Sequence, residues 1–430
     1  MSDTIGYRKG DLIFVSKPFV HVLDNCKRNI LCDYCLKRNS VLKRCSKCRF
    51  VFYCNEQCQK KSWYLHKYEC QRLKKCFPEL PSSSLRFLAN LVVMLEKNKN
   101  EYEEIGGFQR TFDDLESHSE EIRNDVKRMQ QFQGIFAALE SFMGQKYNSS
   151  EILNIFGKIV INSFSILDSE MQAIGSGLFL GPSILDHSCD PNAAVTFDGR
   201  FLHVRAVGDI PSENIRDVFI SYIDQMETKE TKQQQLQEQY YFTCSCSRCF
   251  GDYWNKETLK YPLSNGNFHC KDIVEKSLLT LDILKKMKKD NANPREILKL
   301  SLPLLKEQET VMHPINVLLV KIQDIIFDAY IDLQDWEEAL EIGLKTLDAY
   351  RYYYSDCHPC LGIQLFRIGK IQLYLEKIKD ANKTLKKTEE ILKITHGTNH
   401  PLYHDLSQLF VQCQTELHIL SELNYKKKVI

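Results

Sequence analysis

Seven cysteines and one histidine crowd into a stretch of 39 residues, spaced as Cys32-x2-Cys35, Cys45-x2-Cys48, Cys54-x3-Cys58 and His66-x3-Cys70. Thiolate and imidazole are zinc ligands. Four of them close a tetrahedral structural site, and a short pair delivers two from one tight turn. Eight ligands therefore make two closed sites. The alternation of the pairs suits cross-bracing, with Cys32, Cys35, Cys54 and Cys58 on one ion and Cys45, Cys48, His66 and Cys70 on the other. Trp63 and Leu65 predict a helix in this second half, which places His66 and Cys70 one turn apart on one face. A second group, Cys244-x-Cys246-x2-Cys249, is one ligand short. Its fourth ligand must come from a distance. Cys189 is the best candidate, with a water or a local histidine as the alternative. Eleven cysteines and His66 then make twelve ligands, or three structural zinc ions at four apiece. Cys357-His358-Pro359-Cys360 has redox spacing but no surrounding strand–turn–helix pattern, so it reads as structural.

The eight-ligand pattern resembles a MYND zinc finger. Asp186-His187-Ser188-Cys189-Asp190-Pro191-Asn192, followed by Ile220-Ser221-Tyr222-Ile223-Asp224, resembles the two signature segments of a SET domain. Phe242-Thr243-Cys244-Ser245-Cys246-Ser247-Arg248-Cys249 resembles a post-SET zinc segment. In this order the three are similar to the SET-and-MYND (SMYD) protein-lysine methyltransferases, most of all to members with a full helical C-terminal domain. The resemblance implies an α+β protein: a split SET β-fold with an inserted MYND finger, a post-SET segment and an all-α TPR-like C-terminal domain. It implies S-adenosylmethionine and three structural zinc ions as cofactors, and histone or other protein lysines as substrates. It also implies residence in nucleus and cytoplasm.

The roles follow residue by residue from that resemblance. Tyr222 carries over from the SET tyrosine and would orient the acceptor amine. Phe164 and Tyr240 would wall the lysine channel. Asn162, Ser183, Asp186, His187 and Tyr222 would bind the methyl donor, Phe242 would stack on its adenine, and Glu116 and His118 would close the adenosine side. The chain departs from the family pattern in three places. A Gly-x-Gly loop before the first strand is missing from Met1–Gly10, Asp186 stands where asparagine is usual, and residues 212–217 carry about two extra residues before the Tyr222 segment. These departures predict weak donor binding. They also keep open a second reading, a zinc-stabilised scaffold that binds proline-rich peptides through the finger and partners through the helical array.

The rest of the chain divides by its patterns. Residues 1–25 form the N-terminal part of the SET domain, truncated, with Leu12-Ile13-Phe14-Val15 as a strand or hairpin. The finger occupies 32–70. Residues 78–150 read as a helical insert with a charged elbow at 97–104. Residues 151–225, with short β-rich runs, are the SET core, and 226–250 the post-SET segment. From 268 to 430 the pattern is helical, with Val274, Leu278, Leu281 and Leu284 on one face. His313-Pro314, His358-Pro359 and His400-Pro401 recur at steps of 45 and 42, and Ala339 and Ala381 at 42, as in a two-helix repeat array.

Composition agrees with a globular chain. There are 57 Lys and Arg against 56 Asp and Glu, and 43% of residues are apolar; only 18 glycines and 12 prolines favour long helices over turn-dense β architectures. No apolar run approaches the length of a membrane span and no charged-then-apolar leader is present, so a soluble monomer with reduced thiols is expected. Residues 27–75 carry 14 Lys and Arg against 3 Asp and Glu. That basic face predicts weak contact with nucleic acid or an acidic peptide.

Overall fold

The computed structural model describes residues 6–250 and 267–429. Two compact units emerge. One holds the chain up to 187 together with 195–220 and 235–243. The other holds 188–194, 221–234 and 244 onward.

The first unit is built on two small antiparallel sheets. In one, Phe201–Ala206 lies between Leu12–Ser16 and Ala193–Asp198; in the other, Ala173–Leu178 lies between Val20–Leu23 and Ser163–Leu167. Their inward faces bury Val20, Val22, Leu178, Leu202 and Val204. A third pairing is parallel: Asp186–His187 runs beside Phe219–Ile220, with Phe219 opposite Asp186 and Ile220 opposite His187. The finger adds a two-stranded piece, Lys43–Arg44 against Phe52–Tyr53, and the helix Glu56–Cys76. That helix starts where the Asn55 side chain accepts the Cys58 N–H, a standard N-cap. The finger is seated on the Ala193–Asp198 and Phe201–Ala206 hairpin by the Lys37–Asp198 ion pair at 2.8 Å and the Arg200 guanidinium over the Tyr34 ring.

Residues 78–150 are not wholly helical, contrary to the sequence pattern. Helices Ser83–Asn98, Ser119–Asn124 and Val126–Met143 are present, but the charged elbow opens a β-hairpin, Tyr102–Ile105 against Phe108–Thr111. Ile105 pairs with Phe108, so Gly106-Gly107 is the two-residue turn, and both glycines have positive φ. That is the primed turn whose twist matches a hairpin, and glycine reaches it without strain. The charge run concealed the turn signal.

From residue 267 onward the second unit is helical and TPR-like. From Asn267–Lys289 to Pro401–Val429, seven helices each pack on the next. The His-Pro repeat has a physical meaning here. His313, His358 and His400 each accept, through Nδ1, the backbone N–H two residues ahead, at 3.3, 3.1 and 3.1 Å. At 358 and 400 the proline is the first helical residue, where its missing N–H does no harm. Ala339 and Ala381 are fully buried between helices, as small seam residues should be. Among the described residues no helix is long and apolar enough to cross a membrane.

Candidate active site and metal centres

The ligand groups assemble as their spacing predicts. Cys32, Cys35, Cys54 and Cys58 converge in one cluster, Cys45, Cys48, His66 and Cys70 in a second, and Cys189, Cys244, Cys246 and Cys249 in a third, each set within 4.8 Å. Cys189 is thus the distant fourth ligand, and the water or local histidine alternative is not needed. Its Sγ lies 3.5 Å from that of Cys249. Such crowding makes the thiols share charge. Cys35 pulls the Cys32 thiol down to about 5 by hydrogen bonding, while its own is pushed up by the same contact. Several thiolates in one cluster need a cation between them. Two all-sulfur donor sets, and one of three sulfurs with an imidazole nitrogen, fit zinc.

The finger has a buried charge network behind its ligands that spacing alone did not disclose. His66 Nδ1 donates to Glu69 Oε1 at 3.0 Å, which leaves Nε2 facing Cys48. Glu69 in turn accepts a two-point hydrogen bond from Arg86, at 2.9 and 3.1 Å, and Arg86 also reaches Asp33 at 3.3 Å. Arg86 is only 1% exposed. The carboxylate behind the ligand fixes the imidazole tautomer and orientation, and Arg86, on Ser83–Asn98, ties both knuckles to the insert. Glu69, three residues after His66, was the signal available in sequence.

The third centre is braced within the second unit. Gln233 bonds Cys244 at both ends, Nε2 to the carbonyl at 2.8 Å and Oε1 from the N–H at 3.0 Å. Arg248 donates to the Cys189 carbonyl at 3.1 Å and pairs with Asp190 at 3.1 Å.

The residues assigned to donor and substrate fall into small groups. Asn162 ends the helix Ser149–Asn162, and its amide donates to the Glu116 and Lys158 carbonyls at 2.8 and 2.9 Å. Lys158 holds the same loop through the Phe112 and Asp113 carbonyls, at 2.9 and 3.1 Å. Gly157 lets the loop lie close: a Cβ there would meet the Ser117 carbonyl oxygen at 2.2 Å. Asn162 therefore positions Glu116. His118 takes a left-handed conformation, φ 46°, just before Ser119–Asn124, with its ring 5.8 Å from that of Tyr241. Asparagine or glycine adopts that conformation more readily.

Ser183 sits in the turn Pro182–Ile184, donating to the Leu180 carbonyl at 2.6 Å and accepting from Arg110 at 3.3 Å. Asp186 is exposed and His187 half-buried on the parallel pair. The Phe242 ring lies 6.0 Å from His187 and 6.4 Å from Tyr240. The left-handed residue between them, Tyr241 at φ 60°, turns the chain. Burial pushes the Tyr240 phenol up, which marks a poorly hydrated surface. Phe164, on Ser163–Leu167, meets Phe179 edge-on at 5.7 Å. Tyr222 follows Phe219–Ile220 after one residue, half-buried, on the first segment of the second unit after 220. Sequence reasoning missed Arg110 and Glu103, both on the unforeseen hairpin.

Comparison with known proteins agrees with this picture. The MYND finger family matches residues 32–70. Histone-lysine N-methyltransferase SMYD3 of Mus musculus is 33% identical over 418 residues, spanning 95% of this chain and 94% of its own length, and the Homo sapiens protein of that name is equally similar. N-lysine methyltransferase SMYD2 of Gallus gallus is 28% identical, spanning 94% and 92%. With likeness at that level along nearly the whole length, and all three four-ligand clusters in place, the chain belongs to the SET-and-MYND (SMYD) family.

Proposed function

We propose that this chain is a protein-lysine N-methyltransferase that uses S-adenosylmethionine and acts on lysines of histones or other proteins, in nucleus and cytoplasm. The observation that carries this is the aromatic row of His187, Phe242 and Tyr240, in which His187 belongs to the parallel strand pair and Phe242 meets both other rings.

The residues present fit the donor. Among the described residues, Ser163 Oγ, beside Asn162 and Phe164, and Arg110 Nε, on the residue that bonds Ser183, are two of the twelve buried side-chain atoms that have no hydrogen-bond partner. Buried donors left unpaired carry a penalty that a polar ligand can remove. Bound here, S-adenosylmethionine supplies an electrophilic methyl group on a positively charged sulfur. Ser183, Asp186, His187 and Tyr222 would hold its polar groups, Phe242 would lie against the adenine, and Glu116, His118 and the Asn162 turn would close the adenosine side.

The chain's own residues set the state of the acceptor. A lysine amine attacks only when neutral, and aromatic walls such as Phe164 and Tyr240 disfavour the ammonium form by desolvation. The Tyr222 hydroxyl orients the amine lone pair. A tyrosine, with an ordinary pKa of about 10, is a poor base near neutrality, so its role is alignment.

A second reading is a scaffold with little turnover. It is favoured by the exposed Trp63 and Tyr64 on the basic finger, 43% and 44% accessible, which suit a proline-rich peptide. Weak nucleic-acid contact through the same basic face belongs to that reading. Calorimetry of the purified protein with S-adenosylmethionine separates the two. Binding in the micromolar range supports the enzyme; no heat at millimolar donor removes it.

A further inference from the structure

The hairpin that the sequence concealed lies against the segments assigned to the donor. Glu103 points inward from its first strand. One carboxylate oxygen, Oε2, accepts both the Ser16 hydroxyl at 2.9 Å and the Gly181 N–H at 2.8 Å. Ser16 ends the strand Leu12–Ser16 and is fully buried; Gly181 opens the turn that carries Ser183. Arg110 points from the second strand. Its Nη2 donates to the Ser183 hydroxyl at 3.3 Å and to the Asp114 carbonyl at 3.2 Å. Asp114 is itself locked, accepting the Thr111 N–H and hydroxyl at 2.7 Å each, two residues before Glu116. At the hairpin's far end, Gly106 fits against Ile215: a Cβ there would meet the Ile215 side chain at 2.7 Å.

We propose that hairpin 102–111 is a brace for the donor-binding wall, with Glu103 and Arg110 as positioning residues for the Gly181–Ser183 turn and the Asp114–Glu116 loop. The inference rests on the donor-site reading of Ser183 and Glu116. The physical reason is that one segment is a single three-residue 3-10 turn and the other an irregular loop. A short turn keeps its place only through specific bonds, and a charged acceptor holds an N–H about twice as strongly as a neutral one. Glu103 shares one oxygen between a strand end and the turn, so the turn is registered to the sheet. Arg110 registers the turn to the loop. A loose wall presents Ser183 in the wrong place, and errors of about 1 Å are enough to weaken a site markedly.

The test uses the full chain with zinc bound, as Glu103→Ala, Glu103→Gln and Gly181→Ala. A Cβ at 181 would press on the Glu103 carboxyl at 3.0 Å, so that variant strains the same contact from the other side. Two readouts are taken: S-adenosylmethionine affinity by calorimetry, and amide hydrogen exchange of peptides covering 179–185 and, as a control, 359–374. Glu103→Ala should weaken donor binding about tenfold and speed exchange at 179–185 about tenfold, with the control peptide unchanged. Glu103→Gln, which keeps an acceptor oxygen, should recover at least half of each effect on a logarithmic scale.

Unchanged exchange at 179–185 in Glu103→Ala overturns the brace. So does faster exchange with unchanged donor affinity, because the contact then serves stability alone. If the unmodified protein binds no donor, the donor-site reading fails, and the positioning inference falls with it whatever the exchange shows.

Discussion

The finger and the proposed donor wall solve the same problem, holding a few side chains in fixed places, by opposite means. In the finger, ligands arrive in pairs two or three residues apart, and one ion closes each set. Behind them stands a largely buried salt-bridge chain, His66–Glu69–Arg86–Asp33. The proposed wall draws on loops and element ends around 116, 162, 183, 187 and 242, joined by single hydrogen bonds and a ring contact at partly exposed positions. The first region is strong and local. The second is weaker and assembled from afar, so it should be the first to loosen when a contact is lost.

The largest effect should come from removing metal. Three zinc ions per chain are expected, and structural zinc contributes on the order of 10 kcal/mol to the fold that binds it. Metal analysis of purified protein should give close to three, and exhaustive chelation should abolish cooperative melting of the finger. One zinc or fewer would contradict the twelve-ligand assignment.

Next in size is Arg86→Ala. It strands Glu69 and Asp33 in the interior, and breaking one partner of a buried pair costs about 3–5 kcal/mol. Denaturant unfolding should show that loss, while Lys60→Ala, which removes an exposed ion pair with Glu56, should change stability little. Equal effects would erase the contrast between the buried network and the surface.

On the wall, Asp186→Asn should strengthen donor binding about tenfold, or about 1.4 kcal/mol, by removing a carboxylate beside the donor's own. No change would mean that Asp186 does not face that group.

The smallest effect concerns the helical unit. Burial lowers His358 from its ordinary 6.5 to about 4, with the Asp224 charge opposing and Arg248 assisting. The neutral ring is the form whose Nδ1 can cap Cys360. Because the folded value is depressed, the stabilisation is complete above about pH 6.5 and is lost as pH falls towards 4. His358→Gln should remove that pH dependence, and loss of the cap should lower stability at neutral pH by about 1 kcal/mol.

The same contrast decides what could be read in advance. The zinc ligands are short-range in sequence, and even Cys189 could be found because a three-cysteine site lacks one ligand. The His-Pro repeat was visible, though its role as a set of helix caps needed the backbone. Glu103 and Arg110 act across 78 and 73 residues on an N–H and a hydroxyl, groups that leave no pattern in sequence. Ile105-Gly106-Gly107-Phe108 did carry a hairpin signal, hidden within a charged stretch. Arg86 was invisible as a zinc-site residue because its helix lies outside the ligand run.

The central claim is methyl transfer aligned by Tyr222, and its most direct test is transfer of labelled methyl from S-adenosylmethionine to core histones, comparing the unmodified chain with Tyr222→Phe. The substitution removes one hydroxyl and keeps the ring. The account predicts transfer above background by the unmodified chain, and at least a hundredfold less by Tyr222→Phe with unchanged melting temperature and zinc content. Undiminished turnover in Tyr222→Phe would contradict it.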